Sequence, residues 1–167
     1  MKNLPFLRSL LLLLVVAPLI AAQTADLPRV YDLRKSGGVT PIKAQQGGTC
    51  WAHGTMAAIE SNLLVSGMWK KIGNGDTLAL SEYHLDWWNG FNRHCNVDIG
   101  DAKTDPTGLT PHQGGDYRVS AAYISRGDGV VCAPQNDKGL PDTTSGYAKI
   151  PDQLHPNYKR FYVRDIE

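Results

Sequence analysis

Cys50 stands where two kinds of sequence meet. Gly47-Gly48-Thr49 precede it, and the apolar-periodic run from Trp51 to Ser66 follows it. A glycine-rich approach and a helical continuation place the thiol at a helix N-terminus. Unpaired amides and the helix dipole favour an anion there, and the thiolate is the attacking species. Gln45 and Gln46 lie just upstream and carry side-chain amides that can donate hydrogen bonds. A thiolate beside such donors suits acyl transfer, in which sulfur attacks a carbonyl carbon while N–H groups hold the developing oxyanion. A lone cysteine is ordinarily a small buried hydrophobe; its neighbours argue for more here.

The element that must present this thiol is a helix predicted over Cys50 to Ser66. Ala52, Met56, Ile59 and Leu63 recur at helical spacing and form one apolar stripe. Ala57, Ala58 and Leu64 widen the stripe, so the helix is expected to be buried on most sides. Gly67 is placed to end it. Upstream, Val39 to Ile42 reads as extended, and Pro41 excludes an interior ladder position. Ser81 can cap a short helix from Glu82 to Trp88. Residues 89–115 read as a long loop. Within it, Gly114 and Gly115 permit close approach of another backbone. A further helix is predicted over Asp116 to Arg126, with Tyr117, Ala121 and Ile124 on one face. Residues 127–160 read as irregular, and Phe161-Tyr162-Val163 as the start of a strand.

The run Val39-Thr40-Pro41-Ile42-Lys43-Ala44-Gln45-Gln46-Gly47-Gly48-Thr49-Cys50-Trp51 resembles the active-site segment of papain-like cysteine peptidases. The signature around the nucleophile is C-G-[SA]-C-[WY]. Gly48, Cys50 and Trp51 match it, Thr49 departs mildly, and Gly47 stands where the family has a cysteine. Leu80-Ser81-Glu82 is similar to the segment after the family's central helix. His112-Gln113-Gly114-Gly115 is similar to its Cys-Asn-Gly-Gly, whose cysteine pairs with the one replaced by Gly47. Both half-cystines are therefore missing together. Leu80 to Trp87 and Ala121 to Arg126 are similar to a secreted bacterial branch in which peptidase and lectin-like domains coexist. The resemblance runs from about Tyr31 onward.

This resemblance implies an α+β fold, of which the chain covers mainly the helical N-terminal lobe around a buried central helix. It implies Cys50 as nucleophile and Gln45 as oxyanion donor, the loop being one residue short; Gln46 is the alternative. It places Gly48, Trp51, Gly114 and Gly115 along the cleft, where the glycine pair holds an extended peptide by strand-like hydrogen bonding. The substrate would be a protein or peptide, with no metal or organic cofactor.

Composition narrows the setting. The chain has 167 residues, enough for one domain with a core. Residues 1–22 read as a signal peptide: Lys2 and Arg8 are basic, Leu10 to Ile20 apolar, and Ala21-Ala22 small. An uncleaved anchor is the alternative, but a spanning helix needs about 20 apolar residues. Cleavage leaves residues 23–167 with 15 basic against 16 acidic side chains. That balance gives no reason to expect nucleic acid as a partner. The expected location is extracellular or at the cell surface. Secretion is oxidising, and three cysteines remain. The economical pairing is Cys95–Cys132, with Cys50 free. Cys50 lies 28 residues past Ala22, too near for a long helical propeptide.

The base is the missing part. In the family, His and Asn follow the cysteine by about 130–150 residues, beyond Glu167. His53 shares the Cys50 helix and reads as a packing residue. His155 lies in a Pro-flanked loop. His84, His94, Cys95 and His112 match no common zinc spacing, and Asn96 to Asp101 lacks a full calcium loop. The expectation is an incomplete catalytic domain whose second lobe belongs to the same polypeptide, with an appended lectin-like domain implied by the branch. A non-catalytic secreted peptide-binding module is the alternative.

Overall fold

The computed structural model describes residues 28–73, 77–95, 104–132, 150–156 and 158–166. The chain divides into two units, Met1–Asp32 and Leu33–Glu167. In the first, residues 28–32 form no regular element and expose Val30 and Tyr31. The expected signal peptide lies outside the described residues. The second unit carries four helices and two short strands among the described residues, so the fold is α+β.

Helix α1, Cys50–Val65, is the hub and touches α2 (Met68–Ile72), α3 (Glu82–Trp88) and α4 (Tyr117–Ser125). Ser66 closes α1, and Gly67 follows with φ +69, a left-handed turn that glycine takes without steric cost. The buried positions of α1 are Ala52, Met56 and Glu60, each four residues apart. Ile59 and Leu63 pack at the margin of the core, as their spacing predicts. Ala57 and Ala58, however, are exposed. The expectation of burial on most sides is therefore too broad. Small apolar residues carry little burial energy either way, and the second face of α1 borders open space rather than core.

The core gathers Ala52 and Met56 of α1, Leu80, Leu85 of α3, Tyr123 of α4 and Val130. Full burial of a side chain such as Met56 contributes about 2 kcal/mol. Ser81 caps α3 by accepting from the His84 amide at 3.1 Å. Asp116 caps α4 by accepting from the Arg118 and Val119 amides. On α4 the inward residues are Ser120 and Tyr123, while Tyr117 is 78% exposed. Of the predicted face Tyr117, Ala121 and Ile124, Ile124 packs at the margin of the core, and Tyr117 lies outside it. Ser120 faces α1 because its hydroxyl accepts from Thr55 Oγ1 at 2.7 Å.

Two strands lie where irregular chain was expected. β1, Val130–Cys132, is buried throughout and pairs antiparallel with β2, Lys159–Phe161. Three residues between Gly129 and Ala133 are too few for an alternation pattern to show. β2 also begins two residues before the strand read from Phe161. Ahead of β2, residues 150–156 lie as a strap against α3. Trp88 Nε1 donates to the Pro151 carbonyl at 2.8 Å. His84 Nε2 lies 3.1 Å from the Gln153 carbonyl, and Arg160 donates to the same oxygen. Among the described residues no helix is long and apolar enough to cross a membrane.

Candidate active site

The approach to Cys50 is anchored from below. Lys43 Nζ lies 2.7 Å from Glu60 Oε1 and 2.6 Å from Glu82 Oε1, and donates to the Leu80 carbonyl at 2.9 Å. Glu60 also accepts from the Leu80 amide and from Thr40 Oγ1. Burial pulls the Lys43 pKa down, but the two carboxylates outweigh it and leave it raised. This network pins the extended segment 40–43 onto α1 and α3. The segment that hangs from it is the loop 44–49. Glu60 went unnoticed in the sequence, although it continues the Ala52–Met56 spacing. An acid in an apolar stripe with a lysine upstream was the available signal.

Cys50 opens α1 with its side chain exposed. Thr49 occupies the cap position without capping: its hydroxyl donates to the Gln46 carbonyl at 2.9 Å. No capping side chain therefore covers the start of α1, and its first amides remain directed out of the helix end beside Cys50. Gln45 is exposed, and its Nε2 donates to the Gly47 carbonyl at 2.8 Å. Gln46 is half-buried.

The glycines form a wall. Gly48 donates its amide to the His112 carbonyl and forms a parallel bridge with Gln113. A Cβ on Gly48 would sit 2.7 Å from the Gly114 nitrogen, so only glycine fits. A Cβ on Gly115 would sit 2.4 Å from the Trp51 indole. Trp51 thus packs flat against Gly115, and Gly48 against Gln113-Gly114. Four residues picked from the sequence, Gly48, Trp51, Gly114 and Gly115, meet beside the helix end that carries Cys50.

Behind this wall lies Asp86, which sequence reasoning missed. Its carboxylate accepts from the His112 amide at 2.9 Å, and His112 Nδ1 lies 2.9 Å from the same oxygen. The imidazole packs edgewise against Tyr83 and Trp87. Burial pushes the Asp86 carboxyl up to about 6, partly offset by the His112 amide. Burial also lowers the His112 pKa, so at neutral pH this is an imidazole against a carboxylate rather than a full ion pair. His112 is held at φ +63, the left-handed region.

The remaining histidines are engaged elsewhere. His53 Nδ1 lies 3.0 Å from the Thr49 carbonyl on its own helix, as a packing residue would. His84 is buried between Tyr123 Oη, 2.7 Å away, and the Gln153 carbonyl. His94 packs against Trp87, and His155 against Tyr158. All three cysteines are free thiols, so the expected Cys95–Cys132 bridge is not formed. Cys132 is inside the core on β1, whereas Cys95 is half-buried and its amide bonds Asn92 Oδ1. Burial raises the pKa of both. The calcium-like stretch Asn96 to Asp101 lies outside the described residues.

Known proteins are similar to this chain in sequence. Residues 27–101 match the model of the papain family cysteine protease. Over 128 residues the chain is 43% identical to cysteine proteinase 2 of Entamoeba histolytica, an alignment covering 74% of this chain and 37% of that protein. It is 36% identical over 133 residues to germination-specific cysteine protease 1 of Arabidopsis thaliana, covering 78% and 32% respectively. Cathepsin K of Gallus gallus is 28% identical over 138 residues, covering 82% and 38%. The chain thus spans well under half the length of these relatives.

Proposed function

We propose that this chain is the α+β N-terminal lobe of a secreted papain-family cysteine endopeptidase and supplies its nucleophile and one wall of its cleft; the family match over residues 27–101 supports the reading. The observation that carries the reading is Cys50, exposed at an uncapped helix start beside the Gly48–Gly114 wall. The Cys50 thiolate attacks the peptide carbonyl and forms a tetrahedral adduct. The Cys50 backbone N–H and the Gln45 side chain stabilise its oxyanion, once the Gln45 amide turns from the Gly47 carbonyl. Collapse expels the amine, which takes a proton, and leaves a thioester that water hydrolyses.

The proton carrier in this reading is a histidine of a second lobe in the same polypeptide. The five histidines present are engaged with Thr49, Tyr123, Trp87, Asp86 and Tyr158. An extended peptide substrate would run along the Gly114-Gly115 backbone. Secretion rests on residues 1–22, and the bacterial, lectin-associated branch on Leu80 to Trp87 and Ala121 to Arg126.

The test is labelling by a peptidyl epoxide followed by peptide mapping. The expected result is one adduct, on Cys50. Equal labelling of Cys95 would reduce the finding to ordinary thiol exposure. No saturable labelling of Cys50 would sink the reading.

A further inference from the structure

Asp86 lies in α3, apart from the residues that would touch a substrate, yet one chain of contacts joins it to them. Its Oδ2 accepts from the His112 amide at 2.9 Å. The His112 carbonyl accepts from the Gly48 amide, and Gly48 lies two residues before Cys50. Gly48 bridges Gln113, and its Cα leaves no room for a Cβ against Gly114. His112 is also the one non-glycine among the described residues with positive φ. A histidine held in that conformation needs surrounding structure to impose it. Asp86 supplies that restraint from one side, and the edges of Tyr83 and Trp87 from another. The Asp86 carboxylate is 2% exposed, so it is built into the fold rather than left at the surface.

We propose that Asp86 is a positioning residue for the cleft: acting through His112, it holds the Gln113-Gly115 backbone against the Cys50 loop and thereby sets the register in which an extended peptide is gripped. The inference deepens the peptidase reading and rests on it. The peptide contacts the wall, not Asp86. Loss of Asp86 should therefore weaken recognition of a peptide while leaving the thiol itself unchanged. The two effects separate by reagent. Iodoacetamide reports only the thiol, whereas a peptidyl epoxide also needs the wall.

The experiment compares the full chain with Asp86→Asn and Asp86→Ala. Asparagine keeps an acceptor for the His112 amide; alanine keeps the helix and removes the acceptor. Asp86→Ala is expected to raise the half-saturating epoxide concentration by about tenfold or more, displacement of a positioned backbone being that costly. Its iodoacetamide rate should stay within about twofold, and Asp86→Asn should stay near the parent in both. Hydrogen exchange at the Gly48 amide should accelerate in Asp86→Ala alone. Should Asp86→Ala fail to fold, Asp86→Ser takes its place. Its shorter side chain falls short of the His112 amide, and it should shift epoxide saturation in the same direction.

Unchanged epoxide saturation and unchanged Gly48 exchange would overturn the proposal. So would equal slowing of both reagents, since that result would put Asp86 and His112 on the thiol itself. A parent chain with no saturable labelling at Cys50 would instead sink the peptidase reading, and the Gly48 exchange comparison would still decide the clamp.

Discussion

At the scale of single residues, the Cys50 loop makes the sharpest demands. In a polypeptide that includes the second lobe, Cys50→Ala should abolish peptide hydrolysis and leave the circular dichroism spectrum unchanged. Gln45→Ala should lower kcat by about 10²–10³ if its amide donates to the oxyanion. A neutral Gln45→Ala beside a crippling Gln46→Ala would transfer that role to Gln46. Gly115→Ala forces a methyl into the Trp51 indole, so it should cost about 1–3 kcal/mol in urea titration. That Gly48, Trp51, Gly114 and Gly115 come together beside Cys50 was legible because close backbone approach demands glycine, which residue type betrays. Asp86 was not. Its partner lies 26 residues away, and nothing local to Leu85-Asp86-Trp87 announces it.

At the scale of elements, α1 is held to the preceding segment by charge as well as by apolar packing. Lys43 serves two carboxylates, of which Glu60 is almost wholly buried. Lys43→Met leaves both acids facing each other without a cation. It should destabilise the fold by about 3 kcal/mol, read as a lowered urea midpoint at constant slope. Replacing Glu60 as well, by Gln, should restore part of that loss, because one uncompensated charge goes with it. Three of the four helices were legible to within a residue, since Ser81, Asp116 and Gly67 mark their ends chemically; the five-residue α2, directly after Gly67, was not. The strands were not. β1 and β2 are three residues each, and their pairing joins positions about thirty residues apart, which no periodicity encodes.

For the molecule as a whole, two buried groups set opposing responses to acid. Burial lowers the His84 pKa to about 4, from 6.5. Its contribution to stability is therefore present above pH 6.5 and is lost as pH falls toward 4. Burial raises the Asp86 pKa to about 6, from 3.8. Its relative contribution is present below 3.8 and is lost as pH rises through 6. Each amounts to roughly 3 kcal/mol in full, and between pH 4 and 6 their slopes cancel. Asp86→Asn should remove the opposing term. Its unfolding free energy should then fall by about 1.4 kcal/mol per pH unit below pH 6 relative to the parent. Parallel curves for the two proteins would contradict this. Residues 23–167 alone should show no peptidase activity, since each histidine present is already engaged, with Thr49, Tyr123, Trp87, Asp86 or Tyr158; turnover abolished by Cys50→Ala in that fragment would falsify the second-lobe assignment. The strap and β2 carry a last consequence. Residues on either side of 133–149 are tied together by β1–β2 pairing and by the Trp88–Pro151 and His84–Gln153 contacts. A single protease nick between Ala133 and Ala148 should thus yield two fragments that co-elute as one complex in native buffer. With no disulfide joining them, they should part in urea without any reductant.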